Sequence, residues 1–275
     1  MSLNGIYELR LCAFVDILGF RDLVRRSVDR PSLQIKIQQA LREVFLARPV
    51  WERDNPTEIV EARLRQEGVV DPRVEAEQLV NERAAAERGY SFSDSLVLSA
   101  THNDRSITDL VTSLLALSVN LAELGVFVRG AVCLGQLCHE QDLCFGPALI
   151  DAIDLEEDKT NGAKFPRIVF SSEAYNLVAQ VDLPRLGPLS LYLRQDADDG
   201  WRFLDFLNQT DPDLAPEVDQ LRVIRRELAR QLFNPQFRDD VCVRGKLDWL
   251  ARYFDLVLNE TNIPGINPLS PSKHR

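Results

Sequence analysis

The 275-residue chain is poor in the residues that most often announce chemistry, with three histidines, one methionine and five cysteines. None of the histidines (His102, His139, His274) adjoins a plausible nucleophile in sequence, so Ser-His-Asp catalysis finds little support. The cysteines (Cys12, Cys133, Cys138, Cys144, Cys242) are odd in number and lack paired spacing, which argues against a secreted disulfide scaffold. Cys133, Cys138, His139 and Cys144 match no standard zinc spacing and read as reduced cysteines on a β-hairpin. No P-loop, GxGxxG or HExxH motif is present. Gly and Pro together fill only 27 positions, too few for collagen or low-complexity sequence. Basic residues are in deficit, 32 against 42 acidic ones, and the net charge of −10 argues against nonspecific nucleic-acid binding. It leaves room for a small anionic substrate at one local site. A long apolar run is also missing. Leu110–Val128 lacks Lys and Arg, but Asn120, Glu123 and Gly125 divide it into a helix and a following strand. The N-terminus has no basic start and no small-residue cleavage site, so the expectation is a soluble, cytoplasmic protein.

What is present is a globular composition with clear periodicity. Tyr7–Leu18 reads as a strand, followed by helices near 20–28 and 32–47. Residues 48–87 are dense in Glu and Arg and read as a solvated helical excursion or a mobile insertion. Gly89–Ala100 has hairpin character with a break at Ser93-Asp94. Ile107–Leu124 reads as a helix capped by Ser106 and ended by Gly125. Val126–Leu137 is the next strand, and Leu143–Phe145 begins its return. Pro147 opens a helix running to about Glu157, and a strand at Arg167–Phe170 and a helix at Ser172–Val178 follow. Beyond 188 come two strand-like pieces, SLYLRQ and WRFLDFL, then helices at 215–233 and 238–259 and an uncovered tail. This order predicts an α+β sheet with helices packed on one face.

Four segments could carry chemistry. Asp16 lies inside the apolar FVDILGF, where a carboxylate is costly unless paired, hydrogen-bonded or metal-bound; a helix-capping Asp is the plain alternative. Asp94 lies in FSDSLVLS at the hairpin tip, where an ordinary turn Asp is equally at home. Two carboxylates on neighbouring strand ends can hold divalent cations, with a triphosphate completing the shell. VRGAVCLG places Arg129 between apolar residues, with Gly130 and Gly135 permitting close backbone approach. Gly146 starts a helix whose amides could face an anion, with Lys164 and Arg167 supplying positive charge further along.

Taken in order, these segments resemble the class III nucleotide cyclases. FVDILGF resembles that family's first metal-binding strand, FSDSLVLS its second metal hairpin, and VRGAVCLG its Arg-x-Gly-x-x-x-Gly strand. FGPALIDAIDLE stands where the family has its late helix. The resemblance covers about residues 8–171 apart from the insertion. More narrowly, with PRIVFS added, the set looks like the pyrimidine cyclases of bacterial Pycsar anti-phage systems. Purine cyclases carry a Lys four residues before the second metal Asp, where this chain has Tyr90. A Tyr lacks the ammonium donor and narrows the pocket, favouring a smaller pyrimidine base.

The resemblance implies a ferredoxin-like cyclase sheet over residues 1–200, interrupted by the insertion at 48–87. A C-terminal strand and helical extension (201–260) would pack on that core, with a tail at 261–275. It implies a homodimer with active sites at the interface, turning UTP, or less favourably CTP, into the 3′,5′-cyclic monophosphate and pyrophosphate. The product would act in anti-phage defence on a separate effector, often a membrane protein, with no direct nucleic-acid or membrane contact. Asp16, Asp94 and the Ile17 carbonyl would hold two Mn²⁺ or Mg²⁺ ions, and Asp16, Asp94 and Arg129 would form the catalytic set. Phe14, Tyr90, Gly146, Lys164 and Arg167 would contact the nucleotide. Where the family's late helix carries a transition-state Asn and Arg, this chain has Ile150 and Asp154. Either Arg129, Lys164 or Arg167 takes over that role or the chain is catalytically impaired. A purine cyclase and an inactive cyclase-like binding module are the alternatives.

Overall fold

The computed structural model describes residues 6–49, 56–140, 143–158, 163–183, 187–212, 214–237 and 240–269. In chain order the elements are β1 (Glu8–Ile17), α1 (Phe20–Ser27), α2 (Pro31–Leu46), α3 (Pro56–Gln66), α4 (Pro72–Ala86), β2 (Glu87–Phe92) and β3 (Ser95–Thr101). Then follow α5 (Asp104–Glu123), β4 (Val128–Glu140), β5 (Leu143–Phe145), α6 (Pro147–Glu157), β6 (Ile168–Phe170) and α7 (Ser172–Ala179). The chain continues through β7 (Asp182–Leu183), β8 (Gly187–Pro188), β9 (Leu193–Gln195), β10 (Arg202–Leu204), α8 (Val218–Leu232) and α9 (Val241–Thr261). Seven strands run in the order β2-β3-β1-β4-β6-β10-β9, and β5 folds back on β4. β1 is antiparallel to both its neighbours, whereas β4 and β6 run parallel.

Strand alternation sets the layers. Leu11, Ala13, Val15 and Ile17 point from β1 into the main core, which the buried faces of α5, α8 and α9 complete. Cys12 and Phe14 face the other way, where Val97, Leu137 and Ala148 of α6 form a smaller cluster. So most helices lie on one face, and α6 crosses the other. Gly135 permits this, because a Cβ there would stand 3.2 Å from that of Ala148.

Several sequence expectations shift at element ends. Asn103, not Ser106, caps α5: its side chain accepts from the Ser106 amide at 2.9 Å. SLYLRQ is a strand only in its last half. Leu189 and Tyr192 are both buried, and their spacing of three suits the 3₁₀ turn that precedes β9. The expected tail is mostly exposed as far as it is described, but two of its apolar residues anchor it. Ile266 and Leu269 are buried in the main core, and the Leu269 amide donates to Asp255 at 2.6 Å. The charged insertion folds as α3 and α4, whose sides carry i,i+4 pairs such as Arg65–Glu61 and Arg73–Glu77.

Candidate active site

Asp16 is the last β1 residue on the face opposite the main core, and it is flanked by Ser95 of β3 and Arg129 of β4. One pleat earlier, Phe14 pairs with Val97 and Ala131, and Val97 pairs in turn with Tyr90. Directly paired residues share a face, so Asp16, Phe14, Arg129 and Tyr90 lie on one side of the sheet. Tyr90 is 39% exposed and Phe92, at the edge of the same row as Asp16, is 73% exposed.

Asp94 reaches this face from a two-residue turn between β2 and β3, where Ser93 takes a left-handed φ of 56°. The Ile17 amide donates to the Asp94 carbonyl at 3.2 Å, which fixes the hairpin tip against the end of β1. Ile17 itself is held by its buried side chain. The two carboxyl groups therefore converge. Burial, joined by the charge of Asp94 and a hydrogen bond with it, pushes the Asp16 carboxyl up to about 6. Arg129 and the Ser95 hydroxyl, which donates to Asp16 Oδ1 at 3.4 Å, oppose that rise.

A carboxylate that sequence reading passed over belongs here. Glu156, 2% exposed in the last turn of α6, is ion-paired with Arg129. Burial pushes its carboxyl up to about 7 despite the guanidinium, and the charge of Asp16 adds to the rise. The available signal was spacing: Ala148, Ala152 and Glu156 recur every four residues and form the buried stripe of α6. Ile150 and Asp154 occupy the exposed side of the same helix.

The remaining residues expected to contact a nucleotide scatter. Lys164 is exposed, its Nζ 4.9 Å from the Phe165 ring. Arg167 borders the site only by its backbone, whose carbonyl accepts from the Gly130 amide at 3.1 Å. Its guanidinium is fully enclosed, ion-paired with Asp196 and Asp199 among Phe165, Phe203 and Trp249. The side chain cannot meet a phosphate there, which corrects the expectation for Arg167. Gly146 is also elsewhere. It packs on Gln136 and Leu137, and Leu137 pairs with Glu8, at the far end of β1 from Asp16. Eight residues of strand put that helix N-terminus about 27 Å from the carboxylate pair within this chain. Its glycine answers to backbone crowding: φ is 141°, and a Cβ would stand 2.6 Å from the Gln136 carbonyl oxygen.

The expectation that no histidine adjoins a nucleophile also changes. His139 Nδ1 lies 2.9 Å from Ser99 Oγ, although the two are 40 residues apart. Ser99 also accepts from Arg10 Nε at 3.1 Å, and all three residues are buried, so the hydroxyl is a network member rather than an exposed nucleophile. Cys138 and Cys144 lie on the β4–β5 hairpin beside it.

As a cation site, the Asp16–Asp94 pair has the right donor chemistry. Burial and the neighbouring Asp94 make the Asp16 carboxyl hold its proton more tightly than usual, and hard divalent ions take oxygen ligands. Among the described residues no group of three or more His, Cys, Asp or Glu forms a metal site. Further oxygens would have to come from backbone, water or substrate.

No family model matches the chain, and no curated protein matches it. Among solved structures, it is similar to a bacterial light-regulated adenylyl cyclase, with 12% identity, 80% of this chain and 98% of that one covered, and a TM-score of 0.40. It is also similar to the catalytic core of a rhodopsin-guanylyl cyclase with converted specificity in complex with ATPαS. There the identity is 14%, the coverage 72% and 95%, and the TM-score 0.39. No helix among the described residues is long and apolar enough to cross a membrane.

Proposed function

We propose that this protein is a pyrimidine nucleotide cyclase that converts UTP, or less favourably CTP, into the 3′,5′-cyclic monophosphate and pyrophosphate. The observation that carries the reading is the carboxylate pair itself. Asp16 and Asp94 meet where β1 and the β2–β3 hairpin end, beside Arg129 and on the face that also bears Tyr90. Asp16, Asp94 and the Ile17 carbonyl would hold a pair of Mn²⁺ or Mg²⁺ ions. When bound, such ions lower the pKa of a hydroxyl and neutralise a leaving pyrophosphate. The ribose 3′-oxygen bonds to the α-phosphorus, the bond from that phosphorus to the bridging oxygen breaks, and the hydroxyl proton passes to water.

Arg129, kept in place by Glu156, offsets the carboxylate charge next to the reacting phosphate. The exposed Tyr90, Phe92 and Ile150 support a homodimer that covers them, with Tyr90 of one subunit limiting the base bound against the other's carboxylates. The cyclic product serves as a second messenger in anti-phage defence, acting on a separate effector. Ile150 and Asp154, lying on the exposed side of α6, favour a second reading as a nucleotide-binding module without turnover. Incubation with Mn²⁺ and an equimolar mixture of the four nucleoside triphosphates, followed by mass spectrometry, tests the choice. Cyclic UMP or cyclic CMP is expected. Only cyclic AMP or GMP would overturn the base assignment, and no cyclic product would favour the second reading.

A further inference from the structure

The proposed site needs more positive charge than Arg129 supplies. Asp16, Asp94 and Glu156 share that one guanidinium, and Arg167, expected to add a second, is enclosed elsewhere. A further cation arrives from the C-terminal helices. Lys246, in the second turn of α9, lines a cavity together with Leu18, Gly19 and Phe127. Leu18 and Gly19 follow Asp16 by two and three residues, and the Leu18 amide donates to the carbonyl of Phe127, two residues before Arg129, at 2.9 Å. The cavity thus begins about 7 Å of chain past Asp16. The Lys246 charge also reaches Glu156: burial pushes that carboxyl up to about 7, and Arg129 and Lys246 oppose the rise. Lys246 is half-buried, and among the described residues no hydrogen bond or ion pair occupies its ammonium. Its helix is firmly seated. Asp240 caps α9 by accepting from the Cys242 and Val243 amides, Leu247 and Leu250 are buried in the main core, and Trp249 Nε1 donates to Asp196 at 2.7 Å. Of the other cations around the cavity, Arg26 is paired with Asp22, and the exposed Arg30 stands at the opposite end of α1 from Gly19.

We propose that Lys246 binds the terminal phosphates of the nucleoside triphosphate, the group that leaves as pyrophosphate. The proposal rests on the cyclase reading above and extends its site to the C-terminal helices, which otherwise only complete the core. An ammonium is a compact point charge with three donors, suited to the several oxygens of a polyphosphate. As the bond from the α-phosphorus to the bridging oxygen breaks, negative charge gathers on the pyrophosphate, and a fixed cation there stabilises it. The apolar Leu18, Phe127 and Leu247 beside it limit water, which strengthens the attraction.

Isothermal titration of the full chain with Mn²⁺-loaded inorganic tripolyphosphate tests this, because the probe carries the phosphates without base or ribose. Saturable binding is expected. It should weaken about tenfold in Lys246→Gln and by less than about twofold in Lys246→Arg, which keeps the charge. Arg30→Gln removes one positive charge from the same cavity at the other end of α1, and should change binding by less than about twofold. Lys246 holds no partner in the fold, so Lys246→Gln should leave the melting temperature unchanged. The nucleotide mixture assayed by mass spectrometry tests the cyclase reading separately. With no cyclic product and a tenfold loss in Lys246→Gln, that reading fails and the phosphate contact stands. No binding by the unaltered chain, full-strength binding by Lys246→Gln, or an equal loss in Arg30→Gln would overturn the proposal.

Discussion

Asp16 and Arg129 stand directly opposite one another in the β1–β4 ladder, yet the guanidinium is ion-paired with Glu156 of α6. One cation thus serves two carboxylates on either side of it, and Asp94 adds a third negative group close by. Such a site is short of positive charge by construction. The shortage ties the fold of α6 to the chemistry proposed for β1, because whatever loosens Glu156 frees Arg129 beside Asp16.

Removing Arg129 strands a buried carboxylate. Arg129→Ala is expected to destabilise the protein by about 3 kcal/mol, and Glu156→Gln by less, since it leaves no buried charge without a partner. A double-mutant cycle using Arg129→Ala and Glu156→Ala should return a coupling of about 1–3 kcal/mol by urea denaturation. Additive losses would mean that the two side chains do not act as a pair.

Gly146 is expected to matter for folding and not for substrate. A Cβ there meets a carbonyl oxygen at 2.6 Å in a backbone conformation that favours glycine. Gly146→Ala should cost about 2–3 kcal/mol while leaving the KM of the folded fraction unchanged. A raised KM with an unaltered melting temperature would return the α6 N-terminus to the nucleotide site.

Arg167 and Lys164, three residues apart, should behave in opposite ways. Arg167→Met breaks a buried network with Asp196 and Asp199, for a loss of about 3–5 kcal/mol. Lys164→Ala touches an exposed side chain and should shift stability by less than about 0.5 kcal/mol. Thermal melts of the two variants separate these outcomes, and comparable losses would contradict the burial difference.

What could be read in advance follows the range of the interactions. Asp16 was legible as a carboxylate out of place in an apolar strand, because the residues that make it so are its immediate neighbours in β1. The break at Ser93-Asp94 was legible for the same reason. Arg167 was misjudged because its partners lie 29 and 32 residues later, on a loop that nothing near PRIVFS announces. Ser99 and His139 meet only because β1 brings β3 and β4 to its two sides. Gly146 was read for what a helix N-terminus can bind, when the deciding fact was a backbone crossing formed by Gln136.

Tyr90 is expected to govern base choice rather than catalysis. Its row on the sheet, shared with Phe14, is one pleat away from Asp16, and the side chain is open to a partner subunit. Tyr90→Ala should lower the ratio of pyrimidine to purine turnover by about tenfold, whereas Tyr90→Phe keeps the ring and most of the selectivity. Competition assays with paired triphosphates measure it. An unchanged ratio in Tyr90→Ala would leave Tyr90 a structural residue.

The Asp16 carboxyl offers a test of cation binding that needs no turnover. Its folded-state pKa of about 6 lies above the ordinary 3.8. Below about pH 4 both folded and unfolded chains carry the proton, and Asp16 contributes no pH dependence. Between about pH 4 and 6 the unfolded chain loses its proton first, so stability falls as pH rises and then levels off. With allowance for solvent screening at a partly exposed group, the lost stability is about 1–2 kcal/mol. A divalent cation competes with that proton for the same oxygens, so Mn²⁺ should raise the melting temperature at about pH 7.5 and hardly at all at about pH 4.5. Asp16→Asn should melt higher than the unaltered chain at about pH 7.5 without metal, because a neutral amide does not repel Asp94, and it should lose the Mn²⁺ response. An equal Mn²⁺ effect at both pH values, or one that persists in Asp16→Asn, would mean that the cation binds somewhere other than between Asp16 and Asp94.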